Sequence, residues 1–133
     1  MYKHFVQYYE TDKMGITHHS NYIRFMEEAR VQFFKNIGFD YAELEQNGIF
    51  SPVVEIDCKF VKPTHFNDEI FVDIKIIQYS GVRLAVHYLM YSNDCLVFEG
   101  NSKHCFLSAA GKVVRLGENN FPKLHEKLKS LCE

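Results

Sequence analysis

At 133 residues the chain is long enough for one compact domain and too short for two ordinary ones, so 1–133 reads as a single domain. A hydrophobic content of 47% supports a real core and excludes bulk disorder. A net charge of −2, with a pI near 6.4, leaves no basic excess to neutralise phosphates, so no nucleic-acid partner is expected.

The N-terminus, M-Y-K-H-F-V-Q-Y-Y-E, turns polar too soon for a signal sequence. No apolar run approaches the length of a transmembrane helix, and no membrane partner is expected. Cys58, Cys95, Cys105 and Cys132 form no C-x-x-C pair, which argues against a zinc knuckle or a disulfide framework. Reduced thiols in the cytoplasm are the expectation.

Tyr2 to Tyr9 is rich in aromatics with one valine and predicts a strand. Thr11 to Thr17 predicts a loop around Gly15. Ser20 and Asn21 can cap a helix that runs from about Ser20 to Asn36. Its apolar stripe is Tyr22, Met26, Ala29, Phe33 and Ile37, widened by Phe25 and Phe34. Gly38 suits the position that ends such a helix. Phe39 to Gly48 predicts a short helical turn and a loop.

Strands follow. Val54 to Phe60 alternates, with Val54, Ile56, Cys58 and Phe60 on one face. Pro63 and Asn67-Asp68 mark a turn. Glu69 to Tyr79 places Ile70, Val72, Ile74 and Ile76 on one face. Ser80-Gly81 turns the chain into Arg83 to Ser92, and Asn93-Asp94 turns it into Cys95 to Ser108. Gly111 predicts a hairpin with Lys112 to Arg115. Phe121, Leu124, Leu128 and Leu131 line a terminal helix after Asn120. One long apolar helix with strands joined by tight turns gives an α+β class with an antiparallel sheet.

The chemistry concentrates between Tyr8 and Arg30. Asp12 lies a few residues ahead of a helix N-terminus, where unpaired N–H groups and the helix dipole can hold a developing oxyanion. Asp12 is either a loop residue forming an Asx turn or a cap, or the acid of an acyl-transfer site. His18 and His19, with Glu10 or Asp12, invite a metal reading. Adjacent side chains diverge, however, and the i, i+4 spacing of a helical zinc motif is absent, so no metal or other cofactor is expected. Glu27 and Glu28 sit mid-helix and read as solvated or paired with Arg24 or Arg30, although Glu27 could point into a pocket. Lys62, His65, Arg83, Lys103 and His104 would suit a phosphorylated cofactor arm if the fold grouped them. Ser51, Ser80, Ser92 and Ser102 lack a G-x-S-x-G elbow, so a serine hydrolase has no support.

The run Y-E-T-D-K-M-G-I-T-H-H-S-N-Y-I-R-F-M-E-E-A-R resembles the signature of hotdog-fold acyl-CoA thioesterases of the 4-hydroxybenzoyl-CoA thioesterase type. K-F-V-K-P-T-H-F-N-D-E-I and the Ser80 to Val86 turn resemble later parts of that family. The resemblance implies a hotdog, a long central helix wrapped by an antiparallel sheet. It implies a homodimer or homotetramer with sites at subunit interfaces, and acyl-CoA as substrate. Asp12 falls on the family's catalytic aspartate. His19 falls on the residue whose backbone N–H polarises the thioester carbonyl. Arg83 falls in a turn that meets the CoA nucleotide, and Lys62 and Asn21 join it as candidate substrate contacts. Lys13-Met14 and His18 depart from the usual pattern, which leaves the acyl specificity open.

The chemistry implied is modest. A thioester carbonyl is electrophilic and its thiolate leaves readily, so a carboxylate and an oxyanion donor suffice. Asp12 is expected to act as general base or as nucleophile. The alternatives are an acyl-carrier-protein thioesterase, a hotdog dehydratase, and a hotdog that binds acyl-CoA without turning it over.

Overall fold

The computed structural model describes residues 1–132. The chain runs β1 (Tyr2–Phe5), a 3-10 turn (Tyr8–Glu10), α1 (Ser20–Asn36), α2 (Tyr41–Gln46), β2 (Val53–Phe60), β3 (Glu69–Tyr79), β4 (Arg83–Ser92), β5 (Cys95–Cys105) and α3 (Pro122–Leu131). The strands form one antiparallel five-stranded sheet in the order β1-β3-β4-β5-β2. β1 pairs with the start of β3, Tyr2 opposite Val72 and Phe5 opposite Glu69. Asn93 and Asp94 both take positive φ, 52° and 62°, as a two-residue turn between β4 and β5 demands.

The first strand is shorter than its composition predicts. Val6 is fully buried, and then the chain leaves the sheet. The Glu10 carboxylate accepts the Gln7 N–H at 2.7 Å and closes the 3-10 turn, leaving Tyr8 77% and Tyr9 80% exposed. A local side-chain bond thus overrides the strand preference of the aromatics. β5 also stops early, at Cys105 rather than Ser108. The turn at Gly111 forms, with its N–H on the Ser108 carbonyl at 2.9 Å, but its return limb is no strand. Leu107 is shared between isolated bridges to Phe50 and Val113, so no continuous ladder builds from it.

The predicted range of α1 matches the structure. Its buried positions include Tyr22, Phe25, Met26, Ala29 and Phe34, while Phe33 is half-buried. Arg30 occupies a buried stripe position that the apolar pattern left out, and its Nη1 donates to the Tyr88 hydroxyl at 2.9 Å. Among the described residues no helix is long and apolar enough to cross a membrane.

Internal contacts divide the chain into two compact units. The first comprises Met1–Phe33, Cys58–Ile74 and Tyr88–Gly100, with a core that includes Val6, Phe25, Met26, Ile70, Met90 and Phe98. The second comprises Phe34–Asp57, Lys75–His87 and the chain from Asn101 onward, with a core that includes Phe34, Ile76, Leu84, Phe106, Leu116 and Leu128.

Candidate functional site

Asp12 stands on a small hairpin in the first unit. Thr11 and Thr17 bridge in antiparallel register. The Asp12 N–H donates to the Ile16 carbonyl at 2.8 Å, and the Gly15 N–H returns to the Asp12 carbonyl at 2.9 Å. Gly15 has φ 84°, which its lack of a Cβ permits. The Asp12 Oδ1 accepts the Met14 N–H at 2.8 Å, so an Asx turn is formed. Among the described residues Oδ2 has no hydrogen-bond partner. One oxygen therefore fixes the direction of a half-buried carboxylate while the other carries no bond of the turn.

The hairpin ends at the start of α1. His18 donates its N–H to the Glu10 carbonyl at 2.8 Å, and its own carbonyl accepts the Asn21 N–H at 3.0 Å. His18 Nδ1 accepts the Ser20 N–H at 3.2 Å. The imidazole thus does the capping that the sequence pattern gave to Ser20 and Asn21. The His19 carbonyl takes the Tyr22 N–H at 3.2 Å. The His19 N–H itself has no acceptor among the described residues, so a donor is left open at the positive end of the helix. The His19 ring is exposed, stacked on His18 at 4.3 Å and edge-on to Phe60 at 6.2 Å.

A buried framework lies behind these groups. Thr17 donates its N–H to the Thr64 carbonyl at 2.8 Å, and the two threonine hydroxyls meet at 2.6 Å. The Tyr22 hydroxyl is 2.9 Å from Thr64 Oγ1, and burial pushes the Tyr22 phenol pKa up. The Tyr22 ring stacks on Phe98 at 5.2 Å, with Phe60 edge-on to both and half exposed.

Glu10 belongs to this framework in a way the sequence did not single out. It is 6% exposed, and its carboxylate is held by the Gln7 N–H and by His4 Nε2 at 2.8 Å. The His4 ring lies 4.2 Å from the Phe25 ring, and its Nδ1 is 3.7 Å from Glu28. Glu28 also accepts from the Tyr2 hydroxyl at 3.2 Å. Glu27 is exposed rather than aimed into a pocket. Asn21 is 6% exposed, and its Nδ2 donates to the Glu10 carbonyl at 2.8 Å. Among the described residues no three His, Cys, Asp or Glu side chains are grouped as metal ligands.

The basic candidates are dispersed. Lys62 is exposed just beyond β2, its N–H on the Val97 carbonyl at 3.1 Å. His65 is exposed beside Asp68 at 3.6 Å. In the second unit Arg83 is exposed and closes the turn after β3, its N–H 3.2 Å from the Ser80 hydroxyl. Arg115, absent from the sequence-based set, reaches the same turn with Nη1 3.4 Å from the Ser80 carbonyl. Lys103 and His104 lie at the end of β5. Lys103 pairs with Glu55 at 2.9 Å. His104 is buried between the Ser102 hydroxyl at 2.8 Å and the Ser51 carbonyl at 3.0 Å, so it cannot meet a ligand phosphate. An apolar cavity of about 470 Å³ in this unit, lined by Phe34, Leu44, Ile49, Phe106 and Leu124 among others, contains none of the candidate residues.

Residues 6–129 match the family model described as the Thioesterase-like superfamily. A protein of Aquifex aeolicus named "Putative esterase" is 34% identical over 116 residues, covering 87% of this chain and 90% of that one. The crystal structure of a DHNA-CoA thioesterase from Staphylococcus aureus superposes with a TM-score of 0.91 at 30% identity, covering 98% of this chain and 90% of that one. A gentisyl-coenzyme A thioesterase of known structure superposes with a TM-score of 0.82 at 26% identity, covering 86% and 94%.

Proposed function

This chain belongs to the Thioesterase-like superfamily and is a thioester hydrolase of hotdog fold, and we propose that it cleaves acyl-CoA to free acid and CoA with Asp12 as general base or nucleophile. One observation carries the reading. A carboxylate with one oxygen fixed stands on a hairpin that leads into a helix N-terminus, and among the described residues its other oxygen and the His19 N–H have no hydrogen-bond partner. The acyl carbonyl oxygen takes that N–H as its charge develops. By one route Asp12 removes a proton from water as the water oxygen bonds to the acyl carbon. By the other, Asp12 attacks directly and forms an anhydride that water then opens. In both, the C–S bond breaks and CoA leaves as thiolate, which takes up a proton.

Further features support the reading. Arg83 is an exposed guanidinium that suits a CoA phosphate, and Lys62 is a second exposed cation. The half-exposed Phe60 ring beside His19 and Tyr22 offers a flat apolar wall, which favours an aryl acyl group. The resemblance to the 4-hydroxybenzoyl-CoA type and the names of the two thioesterase structures point the same way. Exposed Phe5, Tyr8, Tyr9 and Phe66 support a homo-oligomer, dimer or tetramer. The four thiols suit the reducing cytoplasm.

The test is loss of thioester absorbance across aryl, short-chain and long-chain acyl-CoAs. Turnover of one class, aryl first, is expected. No hydrolysis of any acyl-CoA above the buffer rate would overturn the proposal.

A further inference from the structure

The Asp12 hairpin has almost nothing apolar to hold it. From Asp12 to Gly15 no side chain is buried, and Met14 is 77% exposed. Its place is set by polar ties at its two ends. On the far side Thr17 is tied to Thr64, and on the near side two ties meet at one atom, the Glu10 carbonyl oxygen, which accepts both the His18 N–H and the Asn21 Nδ2, each at 2.8 Å. That carbonyl is itself immobilised, because the buried Glu10 carboxylate is pinned by Gln7 and His4. Glu10 lies two residues before Asp12, and Asn21 lies two residues after His19. The Asn21 amide is therefore a side-chain bolt between the arm carrying the carboxylate and the first turn of the helix carrying the open N–H.

We propose that Asn21 is a positioning residue, holding Asp12 in register with the His19 N–H through the Glu10 carbonyl rather than touching substrate. The inference rests on the Asp12 reading above. Its consequence is specific. Misplacement of a reacting group by about 1 Å can cost on the order of 10²-fold in rate, whereas the substrate contacts themselves stay intact. The loss belongs in kcat. It also belongs to the same unit as Asp12, so it vanishes once the carboxylate is gone.

The experiment is a double-mutant cycle on the full chain, with Asn21→Ala, Asp12→Asn and the pair, followed by kcat, KM, circular dichroism and light scattering. Asn21→Ala should lower kcat by about tenfold or more with KM within threefold and the fold unchanged. Added to Asp12→Asn, it should lower the residual kcat by less than threefold. Asn21→Leu, which keeps the volume without the donor, should behave like Asn21→Ala. A slow Asp12→Asn with Asn21→Ala at wild-type kcat would sink this inference alone. So would a tenfold loss that persists in the Asp12→Asn background, or failure of both Asn21 variants to fold, since either makes Asn21 merely structural. Asp12→Asn at the wild-type rate would sink the Asp12 reading and this inference with it.

Discussion

Replacing Asp12 with asparagine separates its two roles. The Asx turn uses Oδ1 to accept the Met14 N–H at 2.8 Å, and an asparagine side-chain carbonyl accepts that bond equally well. The hairpin ties from Asp12 to Ile16 and from Gly15 to Asp12 are backbone bonds and survive the change. What disappears is the oxygen without a partner, which becomes an NH₂ that is neither basic nor nucleophilic. Loss of a general base costs about 10²–10⁴ in rate, so at least about 2.7 kcal/mol of barrier, and loss of a nucleophile costs more. Stability should change by no more than about 1 kcal/mol, because the turn and both arms retain their bonds. The assay is kcat and KM by thioester absorbance, with a thermal melt alongside. Thiol reagents are a poor choice, since Cys95 is exposed and reacts with them itself. The expected protein melts like wild type and turns over its best acyl-CoA at least a hundredfold more slowly. Turnover within threefold of wild type refutes the reasoning and leaves Asp12 a turn residue. The catalytic acid would then be sought at the exposed Glu27, because the Glu10 carboxylate is already occupied.

Arg83→Ala should raise KM by about tenfold, the scale of one exposed charge-assisted contact of about 1.4 kcal/mol, with kcat within twofold; steady-state kinetics showing unchanged KM and collapsed kcat would contradict this. Among the described residues the Ser92 hydroxyl is buried without a hydrogen-bond partner, so Ser92→Ala should stabilise the fold by about 1 kcal/mol, read as a higher urea midpoint, and a lower midpoint would refute the assignment. Burial, and then the nearby Glu126 charge, pushes the Tyr79 phenol up to about 12 from its usual value of 10. Burial, and then Glu28, does the same for Tyr2, also to about 12. The folded state therefore favours the neutral phenols. Their contribution is fully present below pH 10 and is lost as pH rises toward about 12. Urea midpoints should fall across that window, and the Tyr2→Phe, Tyr79→Phe double variant should flatten the fall; an unaltered slope would count against the cause given.

The parts of this fold written in local patterns were the legible ones. β3 and β4 keep the limits expected from their alternation and from the glycine turn at 80–81, and α1 keeps its limits from the 3.6-residue period. A Cβ on Gly81 would come 2.9 Å from the Leu116 carbonyl, so that glycine is required by a contact 35 residues away that no local reading contains. The failures have two origins, one local and one distant. Tyr8 and Tyr9 look like strand residues until Glu10, which composition marks only as an acid, folds back on Gln7 and ends β1. Arg30 breaks the apolar stripe, yet it is buried because Tyr88, on a strand far along the chain, offers it a hydroxyl. The site divides in the same way. The surroundings of Asp12 and His19 were readable because they depend on a turn and a helix start close by in sequence. His4, Glu10 and Asn21 were not, because nothing in their spacing reveals that one carbonyl receives two donors. Chemistry carried by the backbone of one loop can be read from that loop, whereas the bonds that hold the loop still depend on partners only the folded chain brings together.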